Sequence, residues 1–396
     1  MSSPATAPRP RWYALELLDN RYPALHGLRV LAILSVIQFH VTWIFSGEHG
    51  IAFDRSMTAV SLSVFFGMDL FFILSGFLIG SILFHAIEST KPGGGILWRF
   101  YMRRIFRTFP SYYVVLTVLV LTTVLSDAQR AHLPYEYAYL TNFMPLGRKD
   151  IIMFWGWSLG LEEQFYLVVP LFLFALTRLR SDRVRVILLV GACLIAATLR
   201  LAIYWSYYPW TDLALYGALY FRTYTRFDTL VCGILLAFVH RRWRAEITEW
   251  LKLPFHRGLL AVPALACLWI LAFPTVIGIQ NVQLLHVFAW GTLTSLMYFP
   301  TLILLLHGDG FFSRFLSLPL FRWIATLGYG VYLVHIPIVD DLVIPIARTL
   351  DERHVPKALL WGGAFAVVTL ASLAIAYVMH VLIEKPALKI RDRYAA

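Results

Sequence analysis

Residues 157–170 read WSLGLEEQFYLVVP, and two adjacent carboxylates, Glu162 and Glu163, stand at the start of an apolar run that continues LFLFAL. Acids there suit proton transfer or the holding of a cationic partner. Other chemically active side chains sit in equally apolar surroundings. His40 lies in RVLAILSVIQFH, Asp69 in GMDLFFILSGF with Ser75 beyond it, Arg226 and Asp228 in TRFDTLVCG, and His335 in GYGVYLVHIPI. A second group is basic. WRFYMRRIFRTFPSYY carries Arg99, Arg103, Arg104 and Arg107. On a helix, Arg99, Arg103 and Arg107 share one face and Arg104 lies beside it. Such a face needs an anionic partner, which is either lipid headgroups or a phosphate-bearing ligand gripped by guanidinium forks.

The elements that position these groups follow from composition. Of 396 residues, 59% are hydrophobic and 14% charged, against about 25% charged in a soluble domain. Mean hydropathy is +0.68. The fold expected is all-α, a polytopic membrane protein of ten helices over 28–46, 65–87, 108–126, 160–177, 184–204, 227–240, 258–274, 285–306, 324–346 and 358–383. Most of these runs are near the ~20 residues that cross hydrocarbon. The net charge of +11 does not point to nucleic acid. Most of the Lys and Arg fall in alternate loops, which places both termini in the cytoplasm. Cys193, Cys232 and Cys267 all lie inside spans and give neither a disulfide nor a metal framework.

An ionisable group in hydrocarbon costs about 2.5–3.5 kcal/mol on the insertion scale. A lone histidine or acid there is often only a packing residue. Depth argues for more. At 1.5 Å per residue, His40 lies roughly 16 Å above Arg29, His335 roughly 20 Å above Arg322 and Glu163 roughly 22 Å above Arg178. Asp69 and Arg226 fall in the same middle-to-outer zone. Five helices can therefore bring these groups to one cavity. A neutral imidazole is the natural base, so His40 is the expected base, Asp69 or Glu162 its orienting partner, and His335 a second proton carrier. No P-loop, HExxH or Cys-pair spacing is present, and no metal is expected.

Five stretches, in order, carry a resemblance: LHGLRVLAILSVIQFH, FFGMDLFFILSGFLIG, FYMRRIFRTFPSYY, FWGWSLGLEEQFYLVVP and LGYGVYLVHIPI, with RFDTLVCGILLA and a closing EKP. The chain resembles the integral-membrane acyltransferase-3 family, which includes O-antigen and exopolysaccharide O-acetyltransferases. The resemblance implies a cytoplasmic acyl-CoA donor, acetyl-CoA being the common one, and a hydroxyl acceptor on a carbohydrate or glycosylated molecule. It implies a bacterial plasma-membrane location. The family's Arg-x10-His motif maps onto Arg29 and His40, its arginine-rich motif onto Arg103, Arg104 and Arg107, and its Ser-Leu-x-x-Glu motif onto Ser158, Leu159 and Glu162, with Glu163 beside it. Arg29, Arg99, Arg103, Arg104 and Arg107 are then the expected donor-binding residues. The expected organisation is a cytoplasmic segment 1–27, a membrane acyltransferase domain 28–386 and a tail 387–396, without the esterase-like domain that some members carry. A secondary transporter of a small polar or anionic solute is the alternative that buried charges allow, but no inverted halves are visible.

Overall fold

The computed structural model describes residues 13–51, 66–89, 95–145, 147–206, 208–273 and 282–394. Residues 1–12 of the expected N-terminal segment, residue 65 of the second expected span, residue 274 of the seventh and residues 395–396 of the expected tail lie outside these. Among the described residues all regular structure is helical and no strand occurs. Among the described residues, nine helices are long and apolar enough to cross a membrane. We number the main elements α1 Ala24–Trp43, α2 Gly67–Ser89, α3 Ile96–Thr122, α4 Asp127–Tyr137, α5 Trp157–Arg178, α6 Asp182–Ser206, α7 Asp228–Arg242, α8 Pro254–Ala272, α9 Thr294–His307, α10 Pro319–Pro337, α11 Lys357–Met379 and α12 Lys385–Tyr394.

The expected span 227–240 is α7, which has 15 residues and is about 22 Å long. It is shorter than the nine, and the helical turn Thr223–Arg226 stacked before it brings the pair to a span's length. Nearly all of α7 is buried. Hydrocarbon gives helices no hydrophobic reason to associate, so small residues that admit close backbone approach decide the contact. Here Gly76 and Gly80 of α2 face Gly233 and Ala237 of α7; a Cβ on Gly76 would strike the Leu230 backbone, and one on Gly233 would strike Ile73 and Phe77.

Two other expected spans differ from the sequence reading. The third was expected from 108, but α3 starts at Ile96, so the arginines ride on the membrane helix itself. The eighth, 285–306, is broken at residues 289–293, where Gly291 adopts φ 115°. That position faces the Asp228 carboxylate, which leaves no room for a side chain.

Both ends of the chain meet on one face. Lys385 Nζ donates to the Ala14 carbonyl at 2.6 Å, Tyr377 Oη to the Tyr13 carbonyl at 2.9 Å, and the Glu16 amide to His380 Nε2 at 3.2 Å. We call this the terminal face.

Candidate active site

The arginine-bearing turns of α3, the start of α1 and the preceding segment 18–22 enclose a cavity of about 750 Å³ at the terminal face. Arg21, Arg29, Arg99, Arg103, Arg104, Arg107 and Arg391 line it. Glu and Asp contribute only Asp19. The vestibule is thus strongly electropositive, and all five arginines singled out from the sequence converge on it.

A second cavity of about 150 Å³ lies deeper. Leu18, Arg29, Arg104 and Arg107 line both, so they form the neck between them. The deeper walls come from α2 (Met68, Phe71, Ser75), α5 (Ser158, Leu159, Glu162, Glu163, Tyr166) and α10 (Tyr329, Tyr332). On α5 these positions fall at i, i+1, i+4, i+5 and i+8, one helical face. Arg104 lies over the Tyr166 ring, 4.8 Å from its centroid, and the Tyr166 hydroxyl bonds Ser75 Oγ. Glu162 and Glu163 therefore sit among arginines and hydroxyls rather than against lipid.

At the far end Tyr332 links this cavity to the histidines. Its hydroxyl donates to the Trp155 carbonyl at 2.6 Å, so Ser158 Oγ, also 2.6 Å away, donates to it. One turn on, His335 Nδ1 is 2.7 Å from the Tyr332 carbonyl, and His335 Nε2 is 3.1 Å from His40 Nδ1. Carbonyl oxygens only accept. His335 Nδ1 must carry its proton, which leaves its Nε2 an acceptor. His40 Nδ1 then donates, shared between His335 and the Val36 carbonyl at 3.0 Å. The lone pair of neutral His40 is left on Nε2, which no hydrogen bond among the described residues uses. His335 is fully buried and His40 partly so.

Two expectations need correction. The titratable groups do not meet in one cavity: neither His40 nor His335 lines the chamber that holds Glu162 and Glu163, and a layer formed by Ser158 and Tyr332 stands between. Nor does Asp69 or Glu162 orient His40; His335 occupies that position. Asp69 turns away because it lies about 100° round α2 from Met68, and its carboxylate stands 3.0 Å from the Arg226 guanidinium, both fully buried. Arg226 also covers the Tyr220 ring at 4.7 Å. Arg226–Asp69 and Arg200–Asp228, the latter at 2.8 Å, are paired charges inside the helix bundle.

Arg200 was missed in the sequence reading, although an arginine inside the run 184–204 was its signal. It donates to the Val287 carbonyl at 2.7 Å, the Thr225 carbonyl at 2.5 Å and Thr292 Oγ1 at 2.8 Å, tying α6 to the broken span. Glu136 of α4 was missed too. Fully buried, it accepts the Ile152 and Met153 amides at 2.9 and 2.8 Å and so fixes the approach to α5. Burial pushes its carboxyl above the usual range, opposed by those two amide bonds. Beyond the histidines, Arg148 pairs with Glu48 at 2.9 Å and Asp340 at 3.0 Å and lies over Phe154 and Trp43. No group of three or more His, Cys, Asp or Glu fit to hold a metal occurs among the described residues.

A family model described as an acyltransferase domain matches residues 22–381. A peptidoglycan O-acetyltransferase, OatA, of Listeria monocytogenes is 27% identical over 375 residues, 87% of this chain and 53% of that protein. An O-acetyltransferase OatA of Staphylococcus aureus is 26% identical over 349 residues, 82% of this chain and 52% of its own. The chain spans about half the length of these relatives. No solved structure matches it.

Proposed function

The chain belongs to the acyltransferase family whose model covers residues 22–381, and from that premise we propose that it is a bacterial membrane O-acyltransferase. It moves an acyl group, acetyl as the relatives' names indicate, from coenzyme A to a hydroxyl of a carbohydrate or glycosylated acceptor. The observation that carries this reading is the vestibule that narrows through Arg29, Arg104 and Arg107 into a polar chamber ending beneath the histidine pair. The family assignment sets aside the transporter alternative.

The vestibule arginines hold the donor's phosphates, because guanidinium groups present paired donors to phosphate oxygens. The thin pantetheine arm passes the neck, where a phosphate no longer has to follow. Glu162 and Glu163 balance Arg29, Arg104 and Arg107, which keeps the neck cations from repelling one another. The acceptor comes from the opposite face, where Arg148, Trp43 and Phe154 cluster.

His40 works through Nε2, which the thioester reaches once the Ser158–Tyr332 layer at the end of the chamber parts. As a base, Nε2 takes the acceptor hydroxyl's proton while that oxygen bonds the thioester carbonyl carbon; the C–S bond then breaks and the sulfur takes the proton back as free thiol. As a carrier, Nε2 itself bonds the carbonyl carbon and the C–S bond breaks, coenzyme A leaving as thiolate; the acceptor oxygen then displaces the imidazole, and its hydroxyl proton ends on the sulfur. Both routes use the same lone pair, and the hydrogen bonds at Nδ1 favour the tautomer that supplies it. His335 is the positioning residue.

The test is transfer from radiolabelled acetyl-CoA by purified protein in vesicles, with a peptidoglycan fragment as acceptor and donor hydrolysis read in parallel. His40→Ala should lower both rates by about 10²–10⁴-fold with unchanged thermal unfolding. Arg104→Ala should chiefly raise KM for the donor. Unchanged donor use in both variants would remove the donor and catalytic assignments together.

A further inference from the structure

We propose that a second basic pocket on the terminal face binds the phosphate of an anionic phospholipid headgroup. Its volume is about 450 Å³, three times that of the acidic chamber. Arg21, Arg185, Arg241, Arg242, Arg244 and His240 line it, and Glu88 is its only acidic lining residue. Arg241 pairs with Glu88, while Asp182 braces Arg185 at 3.0 Å and Arg242 at 2.6 Å. Five guanidinium groups thus meet two carboxylates, and Arg21 and Arg244 have no ion pair among the described residues. Three like charges around one hollow repel each other until an anion fills it.

Part of the lining is held in place, and the pocket lies at the ends of long helices. Arg185 is held by the Thr177 and Leu179 carbonyls at 2.9 and 2.5 Å. His240 is 3.0 Å from His307 and packs edge-on against Tyr22. The lining comes from the ends of three helices at one level: the first turn of α6, the last turn of α7 and the end of α2. Basic pockets between helix ends on a cytoplasmic face are suited to lipid phosphates. Ala237 and Phe238 supply an apolar wall beside the charges, as a headgroup joined to acyl chains requires and a free anion does not. The pocket shares Arg21, Tyr22 and Ser81 with the vestibule but none of the neck arginines, so an occupant here leaves the neck open.

Native mass spectrometry of the full chain in mild detergent, doped with phosphatidylglycerol or phosphatidylcholine, tests the proposal without turnover. The wild type should retain phosphatidylglycerol and not phosphatidylcholine. Arg244→Gln should lower retention about fivefold, and Arg242→Gln/Arg244→Gln should lower it further. Both side chains are exposed, and unaltered thermal unfolding without lipid checks their folding. Equal retention of the two lipids, or full retention by the double variant, overturns the proposal. Displacement of phosphatidylglycerol by coenzyme A overturns it as well, because the pocket is then part of the donor site. In a parallel arm, inorganic phosphate is titrated while thermal unfolding is followed. A phosphate-induced shift that the double variant loses, with lipid retention unchanged, assigns the pocket to a free anion and overturns the lipid source.

Discussion

The imidazole pair shows how far single residues were legible. His40 and His335 stood out in the sequence because a titratable side chain in an apolar run is conspicuous. Their contact was not legible, since nothing in the spacing of two helices some 300 residues apart sets their rotation. The tautomer argument makes a prediction. His335→Phe should lower kcat for acyl transfer by up to about 100-fold with donor KM little changed, because His40 loses the acceptor that fixes its Nδ1 proton. His335→Gln should recover most of the rate, as its amide oxygen accepts from His40 Nδ1. A purely packing role would give the opposite order, with the larger apolar side chain tolerated better. Asp69 has the reverse lesson. Its type suggested catalysis, yet its position on α2 hands it to Arg226. Removing one member of a buried pair strands the other charge, at a cost of about 3–5 kcal/mol. Asp69→Ala should therefore lower yield and thermal stability, and any folded fraction should keep its donor KM.

At the scale of elements, apolar runs marked most helices because the bilayer demands length and satisfied backbone. What the runs could not reveal were the ends and the interruptions. The start of α3 at Ile96 was hidden because its first turns are basic rather than greasy. The break at Gly291 was hidden because its cause, the Asp228 carboxylate, lies on another helix. Likewise, the pairing of α2 with α7 depends on three glycines whose importance appears only when the helices meet. Gly233→Leu should push these helices apart. The cost is at least about 1–3 kcal/mol, read as a lower unfolding temperature and reduced yield. Since α2 also supplies Met68, Phe71 and Ser75 to the chamber, acyl transfer should fall with it. Gly217→Ala, at a position with open space around it, is the control and should be close to neutral.

For the whole molecule, the uneven basic residues imply a direction, and the contacts of Tyr13, Ala14 and Glu16 with the C-terminal helices bring the two ends together independently. A membrane-impermeant thiol reagent checks the direction. In a background without native cysteines, Tyr394→Cys should react only after the membrane is opened, whereas Ser126→Cys, beyond the other end of α3, should react in intact cells. The two cavities in series, about 750 Å³ and then about 150 Å³, also set a scale. The inner one has a fifth of the outer one's volume, and a short acyl group on a thin arm suits such a narrowing better than a long fatty chain does. The neck therefore works as a gauge: palmitoyl-CoA should dock by its nucleotide end and be cleaved far more slowly than acetyl-CoA in the same donor-hydrolysis assay.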